Sequence, residues 1–205
     1  MDVYLSEEEQ LRRIKEWWQK HGNMIMTVVV IVLAIMAGWR LWHRHEVKLA
    51  RQASIVYAQM LNADFAKQQD DFRLYANRLT KDYSGTPYAS LAELLLAKDY
   101  VQSGKIDEAM ASLKWVISNG KVTSLVDIAS IRLARLLISN SKNQQALKLL
   151  KGIKTQKFDA VKYELMGDAM QALGKKKAAN ENYERAIDAA KKANISTTLL
   201  RLKIT

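Results

Sequence analysis

Gly22 to Trp39 is a run of 18 residues without a charge, and Thr27 is the one polar side chain between Met24 and Gly38. A helix rises about 1.5 Å per residue, so roughly 20 residues cross the hydrocarbon of a bilayer. Extended to Trp42, the segment has that length. Trp17 and Trp18 stand before it, Trp39 and Trp42 at its end. Trp18 and Trp39 are about 31 Å apart along a continuous helix, which suits indoles at both interfaces. Lys20, Arg40 and Arg44 can snorkel to the head groups. The expectation is a transmembrane helix over residues 22–42, with His21-Gly22-Asn23 breaking the helix on entry. A cleaved signal peptide does not fit, because a charged leader comes first and the run ends in Gly38-Trp39-Arg40-Leu41-Trp42. A buried core helix would not call for Trp at both ends. No GxxxG lies within the run, and Ala34, Ala37 and Gly38 form a weak small-residue face.

Charge does not orient the span. Arg12, Arg13, Lys15 and Lys20 precede it; Arg40, Arg44, Lys48 and Arg51 follow it. A short leader and a long C-terminal domain fit a signal anchor with its N-terminus in the cytoplasm. Residues 1–21 form that leader. Leu11, Ile14 and Trp18 make an apolar stripe on a short helix that Ser6 is placed to cap. Two readings stand side by side: an amphipathic helix on the membrane surface, or a charged tail that stays cytosolic.

Beyond the span, residues 43–205 read as helical throughout. One Pro and eight Gly leave little material for β-turns. The net charge of +11 falls entirely after residue 43, and from Lys142 onward 14 Lys/Arg face six acids. Such a surface favours anionic partners, or is simply a solvated face. Ser84-Gly85-Thr86-Pro87 marks a boundary, with Gly85 as a C-cap, Thr86 as an N-cap and Pro87 in the first helical position.

From there the sequence repeats. Ala97, Ala134 and Gly167 correspond, each preceded by Leu96, Leu133 or Met166. Gly104, Ser141 and Gly174 follow as turn residues. Then come Ala109, Ala146 and Ala179; Leu113, Leu150 and Tyr183; and Val116, Ile153 and Ala186. Small residues suit a close helix crossing, and large ones fill the wedge between units. The pattern resembles the tetratricopeptide repeat, with units near 87–119, 124–156 and 157–192. The third unit matches best (Tyr163, Met166, Gly167, Met170, Gly174, Ala179, Tyr183, Ala186); the second departs at Ser130 and Ala134, and no unit has the usual closing Pro. Lys48 to Tyr83 reads as a degenerate leading pair, and residues 195–204 as a closing helix. The fold class is all-α: a transmembrane helix followed by a helical-repeat solenoid.

In such repeats the first helix of each pair lines the concave face. By register that face carries Leu91, Leu94, Lys98 and Val101, then Ile128, Ile131, Arg135 and Ile138, then Val161, Glu164, Asp168 and Gln171. One reading is a groove for a peptide, with Lys98 and Arg135 meeting carboxylates or carbonyls. The other is that the chain's own terminal helices cover these aliphatics.

The search for catalytic chemistry is empty. There is no Cys, hence no thiolate nucleophile or zinc site of that kind. Phosphate loop, nucleophile elbow and HExxH are all missing, and no His follows His45. His43-x-His45 reads as interface. Glu164 and Asp168 read as surface charge, and Lys175-Lys176-Lys177 as a solvated turn. Nothing calls for a cofactor, a metal or a small-molecule substrate. After Lys142 the aromatics Phe158, Tyr163 and Tyr183 fall at repeat or core spacing and do not interleave with the basic runs, which argues against a nucleic-acid partner.

The whole chain resembles the YfgM-type ancillary subunit of the bacterial SecYEG translocon. The likeness rests on the acidic–basic leader, the span ending in Gly38-Trp39-Arg40-Leu41-Trp42, and His45. It continues in Ala50-Arg51-Gln52-Ala53-Ser54, in Tyr88-Ala89-Ser90-Leu91-Ala92-Glu93-Leu94, and in Ile131-Arg132-Leu133-Ala134-Arg135. It implies a single-pass inner-membrane protein with a periplasmic domain. It also implies association with the translocon and with a membrane-anchored periplasmic chaperone of the PpiD type, and no enzymatic activity. The expected function is therefore a non-enzymatic scaffold that links the translocon to chaperones and assists exported proteins. A repeat adaptor for another envelope process, and a basic nucleic-acid binder facing the cytoplasm, are the alternatives.

Overall fold

The computed structural model describes residues 7–204, and among them every regular element is helical. The chain divides into two compact units, Met1–Lys48 and Leu49–Thr205, with the division inside the first helix, α1 (Glu7–Phe65). The cap expected at Ser6 lies outside the described residues.

In the first unit the apolar run is helical, and apart from the half-buried Ile25 its side chains are exposed. Among the described residues this is the one helix long and apolar enough to cross a membrane. The break expected at His21-Gly22-Asn23 does not occur. Gly22 is buried, and the Trp18 indole covers it, with Nε1 3.3 Å from where a Cβ would stand. A residue and its fourth successor share a helix face, so the glycine serves as a seat for the indole and leaves the helix intact. Trp39 and Trp42 meet edge-on at 6.0 Å, and Trp17 lies 5.6 Å from His21.

In the second unit, the end of α1 and α2 (Gln69–Asp82) form a leading pair. Three further pairs follow: α3 (Pro87–Gln102) with α4 (Ile106–Asn119), α5 (Thr123–Ser139) with α6 (Asn143–Lys151), and α7 (Asp159–Ala172) with α8 (Lys176–Lys192). One short 3₁₀ turn, Gln156–Phe158, precedes α7.

The same backbone stop ends the first helix of every pair. Lys67, Gly104, Ser141 and Gly174 are left-handed, with φ of 58°, 72°, 58° and 74°. Each sends its N–H back three residues, and the next N–H reaches back five, as from Lys105 to the Tyr100 carbonyl at 2.8 Å. This is the Schellman arrangement, which satisfies carbonyls that a helix end leaves bare. Asn194 (φ 55°) repeats it at the end of α8. The stops are 37, 37 and 33 residues apart, so the leading pair is in register with the repeats.

Packing in that leading pair reverses the usual sizes. Ala97, Ala134 and Gly167 are buried opposite the larger Leu113, Leu150 and Tyr183. The corresponding positions in the leading pair hold Met60 and Ala76, which share one buried cluster with Phe72 and Leu79. A large residue on one helix and a small one on the other fill similar space either way.

Three local expectations need correction. Gly85 does not cap a helix: α2 ends at Asp82 with Tyr83 as its cap residue, and Gly85 is not left-handed. Thr86 holds the N-cap position, but its hydroxyl donates to the Tyr83 carbonyl at 2.8 Å and does not accept from α3. Pro87 does open α3. The closing helix over 195–204 shrinks to a single turn, α9 (Thr198–Arg201), because the stop at Asn194 and the run Ile195-Ser196-Thr197 hold the backbone out of helix. Leu200 still docks it, buried against Ala186, Ile187 and Ala190.

Candidate functional site

The residues expected along the groove divide into three groups. Leu94 and Ile131 are buried in the main core, with Ile128, Ile138 and Val161 packed against it. Leu91 is half-buried. Their periodicity along α3, α5 and α7 is that of core.

Lys98, Val101 and Arg135 stay exposed and line one cavity of about 280 Å³ between α3, α4 and α5. Ala97 and Leu113 form its apolar floor, and Leu136 adds to its wall. Ala97 leaves the space because it is small where the helices cross. Arg132 joins the rim, and its Nη1 donates to the Leu94 carbonyl at 3.2 Å. Three cations thus surround an apolar floor. Arg132 escaped the register argument, although it lies one turn from Arg135 on α5. Among the described residues, none of the three has a carboxylate within 4.0 Å.

Glu164 and Asp168, read as surface charge, are in fact claimed by the chain. Lys203 Nζ lies 2.8 Å from Glu164 Oε1 and 2.8 Å from Asp168 Oδ1. The Tyr183 hydroxyl donates to Asp168 Oδ1 at 2.9 Å. Burial, the bond to Asp168 and the two carboxylates push the Tyr183 phenol well above its ordinary value. Burial alone would lower the Lys203 ammonium, but its bonds to Asp168 and Glu164 outweigh that and raise it. Asp168, Tyr183 and Lys203 line a second cavity with Gln171, Ala172 and Leu202. Sequence reasoning could not pair Lys203 with residues 35 and 39 positions away.

Trp17, Trp18, Trp39 and Trp42 are all exposed, as are His43 and His45. Leu11, Ile14 and Trp18 share one shallow apolar face of α1 with Lys15 and Gln19. Lys175 is the N-cap residue of α8, and Lys176 and Lys177 are exposed in its first turn. Among the described residues no group of three His, Asp or Glu side chains is placed to hold a metal ion.

The family model described as "Tetratricopeptide repeat-like domain" matches residues 15–205. Among curated proteins, the chain is similar to the "Ancillary SecYEG translocon subunit" of Haemophilus influenzae. The two are 30% identical over 188 residues, 91% of each chain. The protein of that name from Aggregatibacter actinomycetemcomitans is 30% identical over 189 residues, again 91% of each. The one from Escherichia coli K12 is 27% identical over 187 residues, 91% of this chain and 90% of that protein. No solved structure matches the chain.

Proposed function

Because this chain belongs to the family of ancillary SecYEG translocon subunits with a tetratricopeptide repeat-like domain, we propose that it is a non-enzymatic scaffold held beside the translocon by α1. In this reading residues 22–42 anchor it in the bacterial inner membrane, the leader is cytoplasmic and the repeats are periplasmic. The repeats hold a membrane-anchored chaperone of the PpiD type near the translocon and assist exported chains. Confinement to one membrane raises the effective concentration of such partners, so weak contacts suffice.

The observation that carries this is coverage. The likeness to translocon subunits extends over 91% of the chain, apolar run and repeats together. Two experiments test it. Affinity purification of the full chain from inner membranes in mild detergent should recover SecYEG and the chaperone; recovery of neither would sink the proposal. A reporter fused after Thr205 that is active only outside the cytoplasm should be active, and a silent, stable fusion would reverse the topology.

A further inference from the structure

Two cavities of the second unit occupy the same place in the repeat. Lys98, Val101, Gln102 and Leu113 line the first; Asp168, Gln171, Ala172 and Tyr183 line the second, each 70 positions further along the chain. Lys98 and Asp168 are therefore the same repeat position with opposite charge, and Arg135 is that position in the unit between them.

The second cavity shows an occupant. Leu202 and Lys203, from the chain's own closing segment, line it. Lys203 answers both carboxylates at 2.8 Å and lies over the Tyr183 ring, 5.8 Å from its centroid. The occupant is thus a polypeptide segment whose charged side chain has the sign opposite to the lining, with an apolar residue next to it.

At the first cavity the sign is reversed and the place is vacant of any carboxylate from the described chain. Arg132 is held at the rim by its bond to the Leu94 carbonyl. Guanidinium groups match carboxylates in a two-pronged geometry that an ammonium does not. The volume of about 280 Å³ falls at or below the about 300–1,000 Å³ of small-molecule sites, which suits a side chain and its neighbours.

We propose that the cavity rimmed by Lys98, Arg132 and Arg135 docks a protein segment in which an aliphatic or aromatic residue stands next to Asp or Glu. This deepens the scaffold reading by giving the partner's chemistry, and it rests on that reading.

The test uses the full chain in lipid nanodiscs and a fluorescein-labelled peptide, Gly-Ser-Leu-Glu-Leu-Glu-Ser-Gly. Fluorescence anisotropy compares it with versions carrying Gln or Lys in place of Glu. The Glu peptide should bind at least tenfold tighter than either, and more weakly as salt rises. The double variant Lys98→Glu/Arg135→Glu should lose the Glu peptide and bind the Lys peptide in its place, a gain that a misfolded protein cannot show. The milder Arg135→Gln, at an exposed position, should weaken the Glu peptide at least threefold. Equal binding of the Glu and Gln peptides, or unchanged affinity in Arg135→Gln, overturns the proposal. So does competition by decanoate or by a 12-nucleotide oligothymidylate at lower concentration than by the unlabelled Glu peptide, since the site would then take lipid or nucleic acid. If peptide binding fails while the translocon still co-purifies, the ligand class falls and the scaffold stands. The opposite pattern removes the scaffold alone.

Discussion

The ring of Tyr183 fills the space that a side chain on Gly167 would need. The close approach of α7 and α8 depends on it, and the ring's hydroxyl then reaches Asp168 at 2.9 Å. A methyl group at Gly167 overlaps the ring, and overpacking of this kind costs about 1–3 kcal/mol. Gly167→Ala should lower the thermal midpoint of the full chain in micelles accordingly. The pairs Ala97/Leu113 and Ala134/Leu150 show that Ala tolerates Leu at these positions. Gly167→Ala/Tyr183→Leu should therefore recover part of the loss, and strict additivity of the two changes would refute the packing argument.

Ser141 adopts a left-handed backbone (φ 58°) where two other repeats place glycine. A residue with a Cβ is disfavoured there by roughly 1–2 kcal/mol, while glycine adds some unfolded-state entropy. Ser141→Gly should stabilise the domain by about 0.5–1 kcal/mol in urea titrations, and Lys67→Gly by a similar amount. Destabilisation in both would show that the hydroxyl and the lysine contribute more than the turn.

Lys203 ties the closing segment to α7. Its folded-state pKa is raised by the carboxylates it bonds. Its contribution is therefore fully present below the ordinary lysine value and is lost as pH rises through the raised one. Lys203→Met should reduce stability by about 1 kcal/mol, since the pair is partly exposed. The gap from the unaltered protein should stay constant from pH 6 to 9 and close at higher pH. A gap that closes near neutrality would assign the effect to another group.

Glu93 is buried on α3, and burial raises its carboxyl, partly offset by a hydrogen bond with Ser112. A raised acid favours the folded state most below the ordinary glutamate value, and that advantage fades as pH rises through the folded one. Above the ordinary glutamate value the buried acid is therefore a burden to the fold. Glu93→Gln keeps the shape and a hydrogen bond, so it should melt higher than the unaltered protein at pH 7. The difference should disappear near pH 4. Equal melting at both values would show that water reaches the carboxylate.

The repeat was legible because its signal is local. Small residues at 97, 134 and 167, and turn residues at 104, 141 and 174, recur at fixed offsets. The leading pair was harder to read: Lys67 gives no glycine-like cue for its turn, and the Met60/Ala76 exchange hides the register. Of the residues expected along the groove, Lys98, Val101 and Arg135 stay exposed and line a cavity, but Leu94 and Ile131 turned inward, because an apolar residue one turn from a lysine satisfies the periodicity of core and groove alike. The Lys203 bridge and the Arg132 bond to Leu94 join residues 35 to 39 positions apart, and no local pattern encodes them. At Gly22 local propensity pointed to a break, and the indole of Trp18 decided otherwise.

The tie between Lys203 and α7 also gives the row of first helices a closed end. A segment docked along α3 and α5, as proposed above, would meet the chain's own closing residues at the third unit, where Lys203 holds Glu164 and Asp168. Removing the last residues would not merely loosen that tail. On the same proposal it would also free Glu164 and Asp168 from Lys203, leaving a second, acidic position open to lysine-bearing segments.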